Sequence, residues 1–438
     1  MTFQQSTYQQ HPFEDQTASA WLIKPAGLVA LTVFFALVGW IVAKAGIIGA
    51  GAIMGFGLMM VYAVFIFRFP ALGLYTAVLL GFLLIGLGRY VKGVQVGLGM
   101  DAILVLTFLA LFFNRFHQKI DWAPAKKDIT LLAAIWFGYS LLEVVNPEAR
   151  SFEAWFSGRG IGLYMFLIVP MTLLFINSNR KLDIILYIWG ICSLLATIKA
   201  IMQVKWGVDP WEQGWLNEGN YKTHVLFGKL RAFSFLSDAG QFGANQAYSG
   251  VMAAIVAGSF RNKMIRFFFI IVAISAFYGM IISGTRGALS IPFTGFGLYF
   301  VIKKNKLILA TGALLLVLIV VFFKFTSIGQ GNAEIRRMRT AFDPNDASLQ
   351  VRLANQNKLK SYMASRPFGG GIGHGGVKAQ RFLPNAYLSQ IPTDSWYVLI
   401  WVEQGIVGLL LHLAILFYVL IKAVYLIMFR IKDGVLKA

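Results

Sequence analysis

The sequence is poor in charged residues. Only 13% of its 438 residues are charged, whereas an ordinary globular domain carries about 25%. Hydrophobic residues make up 58% of the chain, which is more apolar surface than a soluble core of this size needs. The composition therefore excludes a soluble protein and indicates an integral membrane protein.

The chain also lacks a cysteine framework and a secretory signal. The single cysteine, Cys192, falls within an apolar stretch, so neither a disulfide nor a cysteine metal cluster is expected on the outer side. The first 20 residues are rich in glutamine and contain neither a charged n-region nor an apolar h-region. We expect residues 1–20 to be a disordered cytoplasmic tail.

Long apolar stretches recur along the chain, and each membrane crossing needs about 20 residues. They predict an all-α, polytopic bundle of about twelve transmembrane helices. The predicted spans are 27–44, 46–66, 70–88, 95–113, 129–145, 161–177, 183–202, 242–260, 265–283, 288–302, 306–324 and 405–428.

Lysine and arginine outnumber the acidic residues by 39 to 19, but the basic residues alternate with the predicted spans. Every second connection is a short basic turn, as the positive-inside rule requires of cytoplasmic turns. The pattern predicts cytoplasmic N- and C-termini in a bacterial inner membrane and gives no reason to expect nucleic acid. The basic turns contain Arg68; Arg115, Lys119, Lys126 and Lys127; Arg180 and Lys181; Arg261, Lys263 and Arg266; and Lys303, Lys304 and Lys306.

Two connections are long, and this topology places both in the periplasm. Residues 203–241 form a loop within the bundle of residues 21–324, and residues 325–393 precede the last segment, 394–438. Long connections in compact proteins are usually functional. The second loop is predicted to be partly helical, with an amphipathic helix over about 348–365 that has Val351, Leu359, Tyr362 and Met363 on one face.

Three arginines are predicted at the outer edge of the membrane, Arg231, Arg286 and Arg352, and Arg286 is out of place there as a topology signal because almost no loop surrounds it. An arginine near hydrocarbon is costly and needs a partner, and a phosphate is a natural one because a guanidinium binds it through two hydrogen bonds. Converging on one cleft, these side chains would bind a diphosphate without a metal. The structural alternative is that each snorkels to lipid headgroups or pairs with an acid such as Asp238.

Asp394 is the acid best placed for general-base chemistry near these arginines, although Asp is also a good helix N-cap. His374, in a glycine-rich turn, is a second candidate for a role in the site. Glu403 and Gly405 are expected to shape a break in the last helix. The glycine run at 369–376 lacks the Lys-Ser/Thr of a phosphate-binding P-loop.

These features together resemble the O-antigen ligases and the related O-antigen or exopolysaccharide polymerases. The resemblance covers roughly residues 230–420. It rests on four elements in the family's order: the Arg231 run with Phe242-Gly243; Ser283-Gly284-Thr285-Arg286-Gly287; the Arg352 helix leading into Pro367-Phe368-Gly369-Gly370-Gly371; and Glu403-x-Gly405-x-x-Gly408.

The resemblance implies a GT-C-like membrane glycosyltransferase that needs neither a metal nor a cofactor. Its donor would be an undecaprenyl-pyrophosphate-linked glycan and its acceptor a glycan or glycolipid hydroxyl at the periplasmic face. Arg231 and Arg286 would hold the donor diphosphate, and Arg352 would organise the loop. Membrane lipids would be its other partners.

One departure bears on the kind of transfer. Where ligases of the family commonly have a His-Asn pair about nine residues before the Glu of the final motif, this chain has Asp394-Ser395. The departure favours a polymerase, or a ligase of another surface glycan, over a ligase of the lipid A core. Two alternatives remain open: a transporter or exporter of a lipid or saccharide, and a catalytically inactive membrane scaffold.

Overall fold

The computed structural model describes residues 25–91, 97–114, 120–226, 228–303, 306–343 and 345–431. The predicted N-terminal tail, residues 1–20, lies outside these ranges. The chain forms two compact units, residues 1–68 and residues 69–438. Every predicted site residue lies in the second unit.

The described part of the first unit is the helix α1 (Pro25–Arg68), of 44 residues. The sequence predicted two spans here, 27–44 and 46–66, with a turn near residue 45. The predicted turn is wrong, because the helix continues through these residues. The segment Ala43-Lys44-Ala45-Gly46 contains no proline, and one glycine costs a helix only about 1 kcal/mol. At 1.5 Å per residue the helix is about 66 Å long.

The second unit is almost entirely helical. Its described α-helices are α2 (Ala71–Leu87), α3 (Gly97–Asn114), α4 (Asp128–Leu142), α5 (Phe152–Gly158), α6 (Gly160–Phe175), α7 (Asn179–Lys205), α8 (Pro210–Trp215), α9 (Tyr221–His224), α10 (Ala239–Ser259), α11 (Lys263–Ile282), α12 (Ser290–Ile302), α13 (Lys306–Phe325), α14 (Ala333–Arg339), α15 (Ala347–Met363), α16 (Tyr387–Gln390) and α17 (Trp396–Tyr425). One short antiparallel hairpin, β1 (Val225–Leu226) and β2 (Lys229–Leu230), pairs Val225 with Leu230.

Within the described residues, five helical stretches are long and apolar enough to cross a membrane: Asp128–Val145, Phe152–Phe175, Asn179–Lys205, Lys263–Ile282 and Trp396–Arg430. Shorter apolar helices are Ile53–Arg68, Ala71–Leu87, Gly97–Phe113, Arg286–Ile302 and Leu309–Phe325. The chain is therefore an all-α membrane protein. The number twelve is not confirmed and stays a prediction.

Glycine allows close packing where helices of the bundle meet. A Cβ on Gly250 of α10 would lie 2.9 Å from Phe277 of α11, and one on Gly279 of α11 would lie 2.9 Å from Thr197 of α7. Small residues let membrane helices approach closely enough for dispersion contacts along their length. These contacts pack α7, α10 and α11 against one another, and the site segments extend from these helices.

The last helix, α17, is broken at Gly405, as the sequence predicted. Gly405 has φ 68° and ψ −170°, and a Cβ there would lie 1.9 Å from the carbonyl oxygen of Pro367. The break leaves backbone carbonyl oxygens of α17 without a partner within the helix, and the glycine run supplies their hydrogen bonds. Gly370 N donates to Val402 O at 2.9 Å, and Gly371 N donates to Glu403 O at 2.8 Å. The long loop that precedes the last helix is thereby fixed to it.

The amphipathic helix predicted over 348–365 is α15. Leu359 and Met363 are buried in a cluster with Leu388, Ile391 and Val402. Val351, which was predicted on the same face, is 58% exposed, because the buried face of the helix begins one turn later, at Asn355. The helix therefore packs by its C-terminal half and leaves its first turns free to face a cavity.

Candidate active site

The segment that carries Arg231 is held by a buried arginine that the sequence did not single out. The Arg89 guanidinium donates to the carbonyl oxygens of Ser234, at 2.8 Å, and Leu236. It also lies over the rings of Trp215 and Phe233, 4.7 and 4.5 Å from their centroids. These contacts fix the turn that follows Arg231.

A second support for this turn comes from α7. The side-chain oxygen of Gln203 accepts hydrogen bonds from Phe233 N, at 3.2 Å, and Ser234 N, at 2.8 Å. Ser234 has φ 51°, a conformation that is uncommon for a residue other than glycine. The turn is therefore held in a strained shape by partners from distant parts of the chain.

The Arg231 side chain reaches the end of α11. Its Nε donates to Ser283 O at 3.1 Å, and its two terminal nitrogens donate to Thr223 O at 2.8 Å and Thr285 Oγ1 at 3.1 Å. Burial lowers the pKa of Arg231 to about 10, and the nearby charge of Arg337 adds to the effect. The positive charge of this guanidinium is incompletely compensated by acidic groups, so an anion would bind to it favourably.

Arg286 begins the short 3-10 helix Arg286–Leu289 and forms a two-pronged ion pair with Asp346. The distances between the guanidinium nitrogens and the carboxylate oxygens are 2.5 and 2.9 Å. Thr340 Oγ1 accepts a further bond at 2.6 Å. The hydrogen bond from Arg286 holds the pKa of Asp346 well below its ordinary value. Asp346 is also the N-cap of α15 and accepts from Ser348 N and Leu349 N.

A third half-buried arginine, Arg337 on α14, joins the cluster. Its Nε donates to the carbonyl oxygen of Gly284, between Ser283 and Thr285. Burial and the charge of Arg286 lower its pKa. Sequence reasoning missed this residue, although the run Arg336-Arg337-Met338-Arg339 is strongly basic for a predicted outer loop.

These arginines line one cavity of about 830 Å³. Its lining includes five cationic side chains and two carboxylates, so its formal charge is +3: Lys222, Arg231, Arg286, Arg337 and Arg352, with Asp343 and Asp346. The sequence predicted that Arg231, Arg286 and Arg352 converge, and the structure brings all three to this arginine cavity.

Asp394 and His374 are not among the residues that line the arginine cavity. Asp394 has φ 54° and accepts a hydrogen bond from Asn355 Nδ2 at 3.1 Å. It is not the N-cap of α17, because Ser395 caps the helix by accepting from Val398 N. Asn355 lies one turn after Arg352 on α15, so Asp394 is tied to a helix that contributes to the cavity.

His374 is buried, and both its ring nitrogens are engaged. Nε2 accepts from Arg150 N at 3.0 Å and Ser151 N at 3.2 Å, while Nδ1 donates to Ile372 O at 3.0 Å. Burial lowers the pKa of His374, which favours the neutral ring that these contacts require. In this structure His374 connects the glycine run to the start of α5.

Comparison with known proteins relates this site to a family. Residues 268–413 match the family model described as O-Antigen ligase. The O-antigen polymerase of Salmonella muenchen is 24% identical over 322 residues, which cover 71% of this chain and 78% of that protein. The chain is a relative of the O-antigen ligases and polymerases. The resemblance predicted from the sequence is confirmed, and no solved structure matches the chain.

The motifs shared with the O-antigen ligases and polymerases contact one another. The Pro367 to Gly371 run sits in the break of α17, where Val407 N donates to Pro367 O at 3.2 Å. Arg231 bonds to the Ser283 to Thr285 turn beside Arg286. The region matched by the family model contains Arg286, Arg337, Arg352 and Asp394, whereas Arg231 lies before it.

In the part of the chain that the structure describes, no group of three or more His, Cys, Asp or Glu side chains is arranged to hold a metal ion. The functional groups brought together are instead guanidinium groups, hydroxyls of Thr285 and Thr340, and carboxylates. The metal independence predicted for this relative of the O-antigen polymerases stays a prediction.

Proposed function

We propose that the protein is a membrane glycosyltransferase that moves a glycan from an undecaprenyl-pyrophosphate carrier to a sugar hydroxyl at the periplasmic side of the inner membrane. The observation that carries the proposal is the arginine cavity, which brings Arg231, Arg286 and Arg337 together and whose whole lining has a formal charge of +3. Mutually repelling, partly desolvated guanidinium groups favour a multiply charged anion, and a lipid-linked diphosphate is such an anion whose negative charge increases as it leaves.

The cluster would act on both the bound donor and the departing group. In the transfer, the acceptor oxygen forms a bond to the anomeric carbon of the donor sugar while the bond from that carbon to the diphosphate oxygen breaks. The diphosphate leaves on its lipid with the electron pair of that bond. Arginines fixed in advance stabilise this developing charge without a metal. Arg286 would exchange its contact with Asp346 for the diphosphate.

Asp394 is the proposed general base. Its left-handed backbone conformation is strained, and such strain in a residue other than glycine is often found at functional sites. Its carboxylate is oriented by Asn355 and is not used as a helix cap. It would receive the proton of the acceptor hydroxyl as that oxygen attacks.

The test uses the purified protein in lipid vesicles with an undecaprenyl-pyrophosphate-linked oligosaccharide, and it measures donor binding and transfer separately. Arg231→Gln or Arg286→Gln should lower turnover about a hundredfold or more, as the loss of a group that stabilises charge in the transition state does. Arg337→Gln should also reduce transfer, whereas Arg336→Gln is a matched control, because Arg336 is adjacent but does not line the cavity.

In the same assay, Asp394→Asn should suppress transfer and leave donor binding intact. Normal transfer by both the Arg231 and the Arg286 variants would contradict the proposal. Normal transfer by the Asp394 variant would contradict only the assignment of Asp394 as the general base.

A further inference from the structure

A cleft between α3, α4 and α6 has no part in the proposed transfer. Its volume is about 660 Å³, within the roughly 300–1,000 Å³ that is typical of small-molecule sites. Lys126 and Lys127 line it where α4 begins, so we call it the lysine cleft. Its apolar walls include Phe108 of α3, Leu131 and Ala134 of α4, and Phe166 and Pro170 of α6.

The aromatic wall of the lysine cleft is held in place by the bundle. The ring of Phe166 stacks on Phe137 of α4, with 4.8 Å between the ring centroids, and its centroid lies 6.5 Å from that of Phe108. Phe108, Trp122 and Phe166 also pack against the buried apolar cluster that contains Leu111. These rings form a fixed apolar surface against which a hydrocarbon chain can make dispersion contacts.

The basic end of the cleft has charge that the protein does not compensate. Lys126 and Lys127 are exposed, and neither forms an ion pair with another residue in the described parts of the chain. The carboxylate beside them, Asp128, is already bound to Lys422 and Tyr418 of α17. Lys127 is also the N-cap residue of α4, where the helix dipole favours a negative charge.

Two polar atoms among the lining residues point to the same kind of ligand. Trp122 Nε1 and Thr130 Oγ1 are buried, and neither has a hydrogen-bond partner within the part of the chain that the structure describes. Buried polar atoms in proteins are normally hydrogen-bonded. A headgroup oxygen, reached by a small rotation of these side chains, would supply the partner.

We infer that the lysine cleft binds an anionic glycerophospholipid of the surrounding membrane. Its phosphate would lie against Lys126 and Lys127, and one acyl chain would follow the wall formed by Phe108 and Phe166. A free phosphate would not use the apolar wall, and a zwitterionic lipid would not compensate the two lysine charges. The inference does not depend on the proposed function.

The expected membrane position of the cleft agrees with this ligand. Lys126 and Lys127 belong to a basic turn that the positive-inside rule predicts on the cytoplasmic side. Basic pockets between transmembrane helices on that side bind anionic lipid headgroups, because each lysine near the surface attracts the negative charge.

The test must resolve the site, because the arginine cavity would also attract anions. The full-length protein is reconstituted in phosphatidylcholine vesicles with increasing amounts of a phosphatidylglycerol that has a photoreactive acyl chain, and peptide mass mapping measures labelling of α3, α4 and α6. The double variant Lys126→Gln with Lys127→Gln is compared with Arg261→Gln with Lys263→Gln. This control removes two exposed basic residues of another predicted cytoplasmic turn that does not line the cleft.

Labelling of the cleft should saturate in the unaltered protein and in the control. Half-saturation should need about tenfold or more phosphatidylglycerol in the Lys126 and Lys127 double variant, because both headgroup-binding charges are gone. Ala134→Phe, which fills the cleft and keeps both lysines, should lower the labelling as well.

Equal shifts in the two double variants, or unchanged labelling in Ala134→Phe, would overturn the inference. Competition by unlabelled phosphatidylcholine as strong as that by phosphatidylglycerol would overturn the preference for an anionic lipid. Displacement by inorganic phosphate alone would mean an anion site without acyl-chain binding, and that result would also contradict the inference.

Discussion

Arg89 is buried and Arg231 half-buried at the same short segment, and burial lowers the pKa of each. Their surroundings differ. Arg89 is enclosed by two carbonyl oxygens and two aromatic rings, with the charges of Glu212, Asp238 and Asp209 opposing the loss of its proton. Arg231 has Arg337 and Arg286 as its nearest charged influences besides Asp238.

This difference indicates that Arg89 is a structural arginine and that Arg231 is suited to binding a ligand. A buried cation surrounded by acceptors and acids has its charge compensated by the protein itself. A cation grouped with other cations in a cavity lacks such compensation, and an anion from outside would supply it. The direction of the pKa shift alone would not have distinguished the two residues.

The largest effect is expected from Arg89→Met, which keeps an unbranched apolar side chain at this position but removes the hydrogen-bond donors. Two buried carbonyl oxygens would lose their partner, at about 1–3 kcal/mol for each group left unsatisfied. The melting temperature in detergent should fall by several degrees, and transfer should be lost because the turn after Arg231 loosens.

Arg231→Met is the matched comparison. It should abolish transfer with a smaller fall in melting temperature, because the loss of its hydrogen bonds to Ser283 O, Thr223 O and Thr285 Oγ1 is partly offset by relief of the repulsion from two neighbouring arginines. Equal destabilisation by the two variants would erase the distinction between a structural and a ligand-binding arginine.

A smaller effect is expected from Asp346→Asn. Asparagine keeps the N-cap of α15, since Asn and Asp cap helices about equally well, but it removes the charge that compensates Arg286. Donor binding should tighten about threefold to fivefold, in line with an ion pair near the surface that contributes up to about 1 kcal/mol. Equilibrium binding of a lipid diphosphate measures the change.

Asp343→Asn is the control for this prediction, because Asp343 lines the same cavity but accepts only from the backbone of Asn345 among the contacts described. Weaker donor binding in the Asp346 variant would mean that the carboxylate orients Arg286 for the donor instead of competing with it.

Features with a local sequence signal could be predicted. The position of α15 follows from its apolar periodicity, and the break at Gly405 from glycine in an apolar helix. The convergence of Arg231, Arg286 and Arg352 could be predicted because the positive-inside rule assigns the connections that contain them to the same side of the membrane. Such signals need no knowledge of which distant residues touch.

Features that depend on long-range contacts could not be predicted. Arg89 meets its carbonyl partners 145 and 147 positions away, and Arg286 pairs with Asp346 across 60 positions. The continuous helix α1 was also missed, because hydropathy detects two apolar stretches but not whether the polar residue between them turns the chain.

At His374 the expected effect is on stability and not on transfer, because the structure indicates a structural role. His374→Phe removes the acceptor for Arg150 N and Ser151 N, so stability should fall by about 1–3 kcal/mol. His374→Gln offers a side-chain oxygen to the same N–H groups and should recover part of that loss. Thermal unfolding of the three proteins at neutral pH measures both effects.

The pH dependence distinguishes this role from catalysis. Burial lowers the folded-state pKa of His374, so above the ordinary value of about 6.5 the ring is neutral in both states and contributes no pH dependence. As pH falls through 6.5, the unfolded state binds a proton that the folded state does not, and wild-type stability declines until the folded pKa is passed. His374→Phe should reduce that decline, leaving the share due to His224, whose pKa is also lowered by burial. The acidic limb of the transfer rate should persist in the variant; its disappearance would restore His374 as a catalytic group and leave Asp394 without its assigned role.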